Sequence, residues 1–106
     1  MSGLDDRGEA FENKFAHDAE MMFKVLARRN KLLGLWLAPQ IGQSDAEAYA
    51  KTVVVADLEE QGDEDVVKKV MADIVAADAS VTEADLRAKI AELGVEAKAE
   101  IMSEVS

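Results

Sequence analysis

The sequence has no cysteine, and its 106 residues include only one proline, one tryptophan, one tyrosine and one histidine. Without cysteine there is no disulfide, thiolate zinc site or thiol nucleophile. No run approaches the ~20 apolar residues that a membrane-spanning helix needs. The first residues also lack the basic start and apolar run of a secretory signal peptide. We therefore predict a cytoplasmic protein that does not insert into a membrane.

Residues suited to catalysis or metal binding are also scarce. His17 is the only histidine, and nothing forms a Ser-His-Asp or Cys-His set with it. No Gly-x-x-x-x-Gly-Lys loop is present to hold phosphates. Three acids at residues 63–65 lack the spacing of a calcium loop, and acids are common in the first turn of a helix. The sequence predicts neither an enzyme nor a metal site.

The formal net charge of −10 is unevenly distributed. Residues 1–20 hold six acids and two bases, and residues 32–106 hold sixteen acids and six bases. Only residues 21–31 are basic, with four bases and no acid. Most of such a surface would repel a phosphate backbone, so we predict no nucleic-acid partner. A basic or mixed-charge protein partner fits the composition better.

The first helical pattern is long and amphipathic. Its apolar residues recur at spacings of seven and four, which places them in a helical stripe roughly 80° wide. Pro39 and Gly42 then predict the end of this helix. The stripe consists of Leu4, Phe11, Phe15, Met22, Leu26, Leu33 and Leu37.

Three shorter helices follow. Ser44 and Glu47 have the spacing of a capping box, Gly62 suits a left-handed C-cap, and Thr82 with Asp85 forms a second box. The sequence predicts an all-α fold, a four-helix bundle over residues 18–106 with helices at about 18–38, 44–60, 63–77 and 82–103. Predicted buried residues are Ala46, Tyr49, Ala50, Val53 and Leu58, then Val66, Val67, Val70, Met71 and Ile74, then Leu86, Ile90, Leu93, Ala97 and Ile101.

Residues 1–17 form the weaker part of the first pattern. Gly3 and Gly8 each disfavour a helix by about 1 kcal/mol relative to alanine, and an unpinned terminus frays. We predict an N-terminal arm that is mobile when free and helical when docked. The alternative is that these residues are an ordered start of the same helix. Phe11 and Phe15 suit helix-in-groove recognition, unless they fold back onto the bundle.

The basic segment offers a second interpretation. Arg28, Arg29 and Lys31 could contact phosphates and so bind ATP or ADP weakly. Arg29 lies on the apolar side of the helix, where its side chain either runs along the bundle surface to water or anchors an acidic partner. This interpretation predicts a small bundle that acts by binding adenine nucleotide or another ligand.

Several blocks of the sequence match one known family. They are residues 4–7, 11–20, 23–24, 27–34, 36, 48–50 and 62–66, of which Lys-Phe-Ala-His-Asp at 14–18 and Ala-Arg-Arg-Asn at 27–30 are the most specific. Through these blocks the chain resembles the ATPase inhibitor zeta subunits of alphaproteobacteria. The resemblance covers nearly the whole chain.

The resemblance implies a four-helix bundle whose N-terminal segment inserts, as a helix, into the catalytic head of the F-type ATP synthase. It implies contacts with the alpha, beta and gamma subunits, a block of ATP hydrolysis, and a location peripheral to the inner membrane. When free, the protein is expected to be a monomer. The partner-binding residues would be Leu4, Asp5, Arg7, Glu9, Phe11, Glu12, Lys14 and Phe15.

Overall fold

The computed structural model describes the backbone of residues 3–59 and 62–105, and the side chains of residues 19–58 and 62–104. Within these ranges there are four α-helices and no strand, so the predicted all-α fold is confirmed. The helices are α1 (Gly3–Leu37), α2 (Ala46–Glu59), α3 (Asp63–Ala76) and α4 (Glu83–Val105), with a short 3₁₀-helix at Ala38–Ile41 between α1 and α2. The predicted division into an arm (1–17) and a bundle (18–106) stays a prediction.

The C-terminal half of α1 is the centre of the bundle. It packs against both α2 and α4, and α3 joins these two helices on the far side. The 3.6-residue periodicity of each helix brings its apolar side chains to one face, where they meet those of the neighbouring helices. The buried hydrophobic core consists of Leu33, Leu37, Ala38, Ile41, Tyr49, Val53, Val66, Val67, Val70, Ile74, Leu86, Ile90 and Leu93.

Helices α1 and α2 touch closely at Gly34. A Cβ atom placed on Gly34 would lie 2.5 Å from the Cα and 3.0 Å from the Cβ of Ala50. Real Cβ atoms do not approach backbone atoms so closely, and Ala50 is itself buried. Glycine at position 34 and alanine at position 50 therefore set the distance between the two helices.

The end of α1 is built by proline and glycine together. Pro39 lies in the first turn of the 3₁₀-helix, where its missing N–H group is not needed. Gly42 follows in the left-handed conformation, with φ 76° and ψ 18°, which glycine adopts at little cost. The Gln43 backbone N–H then donates to the Ala38 carbonyl at 2.9 Å. These contacts reverse the chain direction so that α2 runs back along α1.

Two of the predicted caps are wrong in detail. The side chain that caps α2 belongs to Asp45, whose Oδ1 accepts a hydrogen bond from the Ala48 N–H at 3.1 Å. Ser44 lies one residue too early, because α2 begins at Ala46. Gly62 is not a left-handed C-cap. It is the N-cap residue of α3, and its φ of 141° and ψ of 142° form a positive-φ conformation outside the left-handed helical region.

The capping box at the start of α4 is confirmed. The Asp85 N–H donates to Thr82 Oγ1 at 3.0 Å, and the Thr82 N–H donates to Asp85 Oδ2 at 3.3 Å. Each side chain thus satisfies a backbone donor that has no partner within the helix.

Removing this cap should weaken the fold moderately. We expect Thr82→Ala to lower the free energy of unfolding by about 1 kcal/mol, because the Asp85 N–H loses its acceptor. Urea denaturation followed by circular dichroism measures the change. Ser80→Ala, at an exposed position two residues earlier, is the control and should shift stability by no more than about 0.5 kcal/mol. Equal effects of the two substitutions would contradict a capping role for Thr82.

Candidate partner-binding surface

The predicted arm contacts lie outside the described side chains. They are Leu4, Asp5, Arg7, Glu9, Phe11, Glu12, Lys14 and Phe15. The bounds of α1 run from Gly3 to Leu37, so the backbone of these residues belongs to the same helix as the core residues of α1.

The described part of the chain contains an apolar groove of about 300 Å³ at the N-terminal end of the packed half of α1. We call it the α1/α2 groove. One wall is α1, the other is the C-terminal end of α2, and the first residues of α3 close it. Its apolar lining includes Ala19, Met22, Phe23, Leu26, Val54 and Leu58.

Three large apolar side chains of this groove are more than half exposed. The exposed fractions are 59% for Met22, 53% for Phe23 and 52% for Leu58. The sequence predicts Leu58 as buried, and that prediction is wrong. Met22 belongs to the predicted apolar stripe of the first helix but is exposed as well. Periodicity identifies the apolar face of α1 but not where the neighbouring helix stops: α2 ends at Glu59, and Met22 extends beyond the level at which the helices pack closely.

A polar cluster with two buried members, Arg29 and Asn30, lies at the base of the groove. Asn30 has no exposed surface, and Arg29 is only 5% exposed. The Asn30 side-chain oxygen accepts hydrogen bonds from Arg29 Nε at 3.2 Å and from Nη2 at 2.9 Å, and Arg29 Nη1 donates to Asp63 Oδ1 at 2.8 Å. The Asn30 amide donates to Asp57 Oδ2 at 2.9 Å. We call Arg29, Asn30, Asp57 and Asp63 the corner network.

The corner network holds the C-terminal end of α2 and the start of α3 against α1. Asp57 lies near the end of α2 and also accepts the Gly62 backbone N–H at 3.3 Å, whereas Asp63 is the first residue of α3. Arg29 was expected either to reach water along the surface or to anchor an external acid. The first expectation is wrong, because the Arg29 side chain is buried and bonded to Asn30 and Asp63 within the chain. Anchoring of an external acid stays a prediction.

The other predicted basic contact, Arg28, connects α1 to α4. Its Nη1 lies 2.7 Å from Glu100 Oε1 and its Nη2 lies 2.8 Å from Glu104 Oε1. The hydrogen bonds that Arg28 donates to Glu104 and Glu100 raise the pKa of its guanidinium above the ordinary value. Lys31 is exposed. Because both arginines already have acidic partners, the structure adds no support for nucleotide binding here, which stays a prediction.

Within the described residues, no three histidine or acidic side chains come together in a way that could hold a metal ion. The acids at residues 63–65 occupy the first turn of α3, near the positive end of that helix. Across the same residues, no helix is both long enough and apolar enough to cross a membrane.

Sequence reasoning missed Asn30 and the corner network. The sequence did carry a signal for it: Arg29 and Asn30 are polar, yet they lie on the apolar side of the helix, between Leu26 and Leu33. Their acidic partners are 27 and 34 residues away along the chain, however, and a periodic pattern does not identify partners at that distance.

A small helical bundle with an apolar groove beside the start of its packed helix has the features of a binding protein. The family model described as "ATPase inhibitor subunit zeta" matches residues 1–100 of the chain. The protein therefore belongs to the ATPase inhibitor subunit zeta family. No curated protein matches the chain. Membership of an inhibitor family indicates a protein that binds an ATP synthase.

Proposed function

We propose that this protein blocks ATP hydrolysis by inserting its N-terminal helix at an interface between an alpha and a beta subunit in the head of the F-type ATP synthase. The observation that carries the proposal is the family match, which begins at residue 1 and so includes the whole predicted arm. The site is near the central gamma subunit, and the protein is held at the inner membrane only through the enzyme.

The continuity of α1 supports this mechanism. A helix rises 1.5 Å per residue, so a helical segment over residues 3–18 is about 24 Å long and collinear with the packed half of α1. Such a segment can reach into a cleft while the bundle stays outside. Leu4, Phe11 and Phe15 would meet the apolar cleft on one side.

Polar residues of the arm would contact the rim of the cleft. They are Asp5, Arg7, Glu9, Glu12 and Lys14. Catalysis by a rotary head requires its interfaces to open and close, and a ligand that binds one of these states more tightly shifts the population toward that state. A helix wedged into one interface therefore stops the hydrolytic cycle by stabilising a single conformation.

The arm can be tested separately from the bundle. We expect the full chain to inhibit ATP hydrolysis by the purified cognate enzyme, and a truncation that begins at Asp18 to have no effect. The double variant Phe11→Ala/Phe15→Ala should need at least about 30-fold more protein for half-inhibition, because truncating one buried aromatic contact alone often costs about 2 kcal/mol.

The matched control is Asn13→Ala, since residue 13 lies on the opposite side of the helix from Phe11 and Phe15. Alanine at that position keeps the helix and leaves the apolar side intact, so inhibition should stay within about threefold of wild type. If the truncated and full-length proteins gave the same ATPase rate, the arm would not be the inhibitory element.

A further inference from the structure

We propose that the α1/α2 groove is a second docking site, which binds an apolar segment of the ATPase head that carries a lysine or arginine. This inference rests on the proposed function, because the groove would act alongside the inserted arm. It assigns a binding role to the bundle itself, through Met22, Phe23 and Leu58.

The exposed apolar side chains of the groove indicate a binding partner. Met22, Phe23 and Leu58 are each more than half exposed and line one depression. The other large apolar side chains of the described residues that are more than half exposed lie outside it; they are Val75, Val95 and Met102. Single exposed apolar residues are ordinary, but large ones gathered around a concave site are typical of contact surfaces. A helix that presents residues at spacings of three and four would fill such a groove.

The acidic side chain of Asp57 in the groove favours an occupant that carries a positive charge. Asp57 lines the wall, and its two hydrogen-bond donors, the Asn30 amide and the Gly62 N–H, are both neutral. Nearby acids differ: Asp63 is paired with Arg29, and Glu64 forms a two-point contact with Arg87 at 2.9 and 3.0 Å. Among the described residues Asp57 thus has no salt-bridge partner, and its carboxyl group lies beside apolar surface. This combination favours a cation flanked by apolar side chains.

Two other occupants fit the charges less well. A second copy of the chain carries a net charge of −10, so two copies repel each other. The chain's own first 20 residues hold six acids against two bases, and they continue the α1 helix. To reach the groove, that segment would have to break the helix and bring acids toward Asp57. An apolar segment of the ATPase head that carries a lysine or arginine is not repelled by Asp57, and its binding does not require a break in α1.

The experiment measures binding of the full-length protein to the cognate catalytic head, together with inhibition at saturating protein. We expect Met22→Ala/Leu58→Ala to raise the Kd about tenfold or more. The matched control, Val75→Ala/Val95→Ala, removes the same number of exposed apolar side chains from outside the groove, and its Kd should stay within about twofold of wild type. Saturating amounts of either variant should still inhibit fully, because the arm is intact.

A charge pair at position 22 tests the nature of the occupant. Met22→Lys and Met22→Glu both remove the apolar contact, and lysine and glutamate have similar helix propensities. A cationic occupant predicts a Kd at least about fivefold higher for the lysine variant than for the glutamate variant. The difference should shrink between 50 and 500 mM salt. Equal Kd values for the two variants, or tighter binding by the lysine variant, would overturn the assignment of a cation.

Two measurements on the free protein cover the other occupants. Wild-type dimers in analytical ultracentrifugation that disappear in Met22→Lys would assign the groove to a second copy. A shift of the Met22 methyl signal in free Phe11→Ala/Phe15→Ala would assign it to the chain's own arm. Either result overturns the proposal, whereas a monomer with an unchanged methyl signal supports it.

The outcomes for the groove and for the arm are separable. If wild type binds and inhibits while Met22→Ala/Leu58→Ala has the same Kd as the control Val75→Ala/Val95→Ala, only the groove proposal fails. If wild type does not bind the catalytic head at all, the proposed function fails and the groove loses its partner as well.

Discussion

Replacing Asn30 with alanine should lower the free energy of unfolding by about 2–4 kcal/mol. The Asn30 side chain accepts two hydrogen bonds from Arg29 and donates one to Asp57, and none of it is exposed. Alanine leaves a buried guanidinium N–H without an acceptor and a carboxylate short of a donor. A buried polar group without a partner costs about 1–3 kcal/mol, and more when it is charged. Urea denaturation at pH 7 measures the loss.

Asn30→Leu separates the hydrogen bonds from the cavity. Leucine has the same number and branching of side-chain heavy atoms as asparagine and leaves no cavity, but it forms no hydrogen bond. This variant should therefore be about as unstable as Asn30→Ala. If leucine restored wild-type stability, the corner network would contribute little, and the loss in the alanine variant would reflect missing volume instead.

Gly34→Ala should destabilise the protein by about 1–2 kcal/mol net, although alanine is the better helix former. Alanine improves helix propensity by about 1 kcal/mol. Its Cβ, however, would lie 2.5 Å from the Ala50 Cα, which is backbone and moves only with the whole of α2. Overpacking of this kind commonly costs 1–3 kcal/mol and sometimes more. For a chain of this length we expect the Tm to fall by roughly 5–15 °C.

Gly94→Ala is the matched control for Gly34→Ala. Gly94 also lies within a helix, but a Cβ atom there would meet only Arg29 Cδ, at 3.7 Å, which is an ordinary contact. The same substitution should therefore raise the free energy of unfolding, by up to about 1 kcal/mol. If both variants gained stability, the close approach of α1 and α2 would not be the reason for glycine at position 34.

Much of the fold was predictable because its signals are local. Pro39 and Gly42 mark the end of the first helix, and Thr82 with Asp85 marks the start of the last one. The cap of α2 was misplaced because Ser44 and Asp45 are both good capping residues, and only the backbone conformation decides between them. Local chemistry thus predicts that a helix begins, but not always at which residue.

The candidate site was harder to predict because it depends on where neighbouring elements end. Met22 and Leu58 continue apolar stripes that the core uses elsewhere, yet both are more than half exposed in the described part of the chain. Arg29 is the opposite case, a charged residue that is buried because Asp63 comes close to it in the folded chain. Whether an apolar residue is exposed or a charged residue is buried depends on which distant segments contact it. The periodicity of a single helix carries no information about such contacts.

The single helix that serves both arm and core changes how the arm can become ordered. Starting a helix in isolation is unfavourable, with a nucleation constant near 10⁻³, equivalent to about 4 kcal/mol. Residues 19–37 of α1 are already part of a helix that tertiary contacts stabilise. Helix growth toward the N-terminus therefore extends an existing template by one residue at a time and requires no new nucleus. Gly8 and Gly3 each make one step of that extension less favourable. Single substitutions at these glycines can therefore change how many residues of the arm become helical.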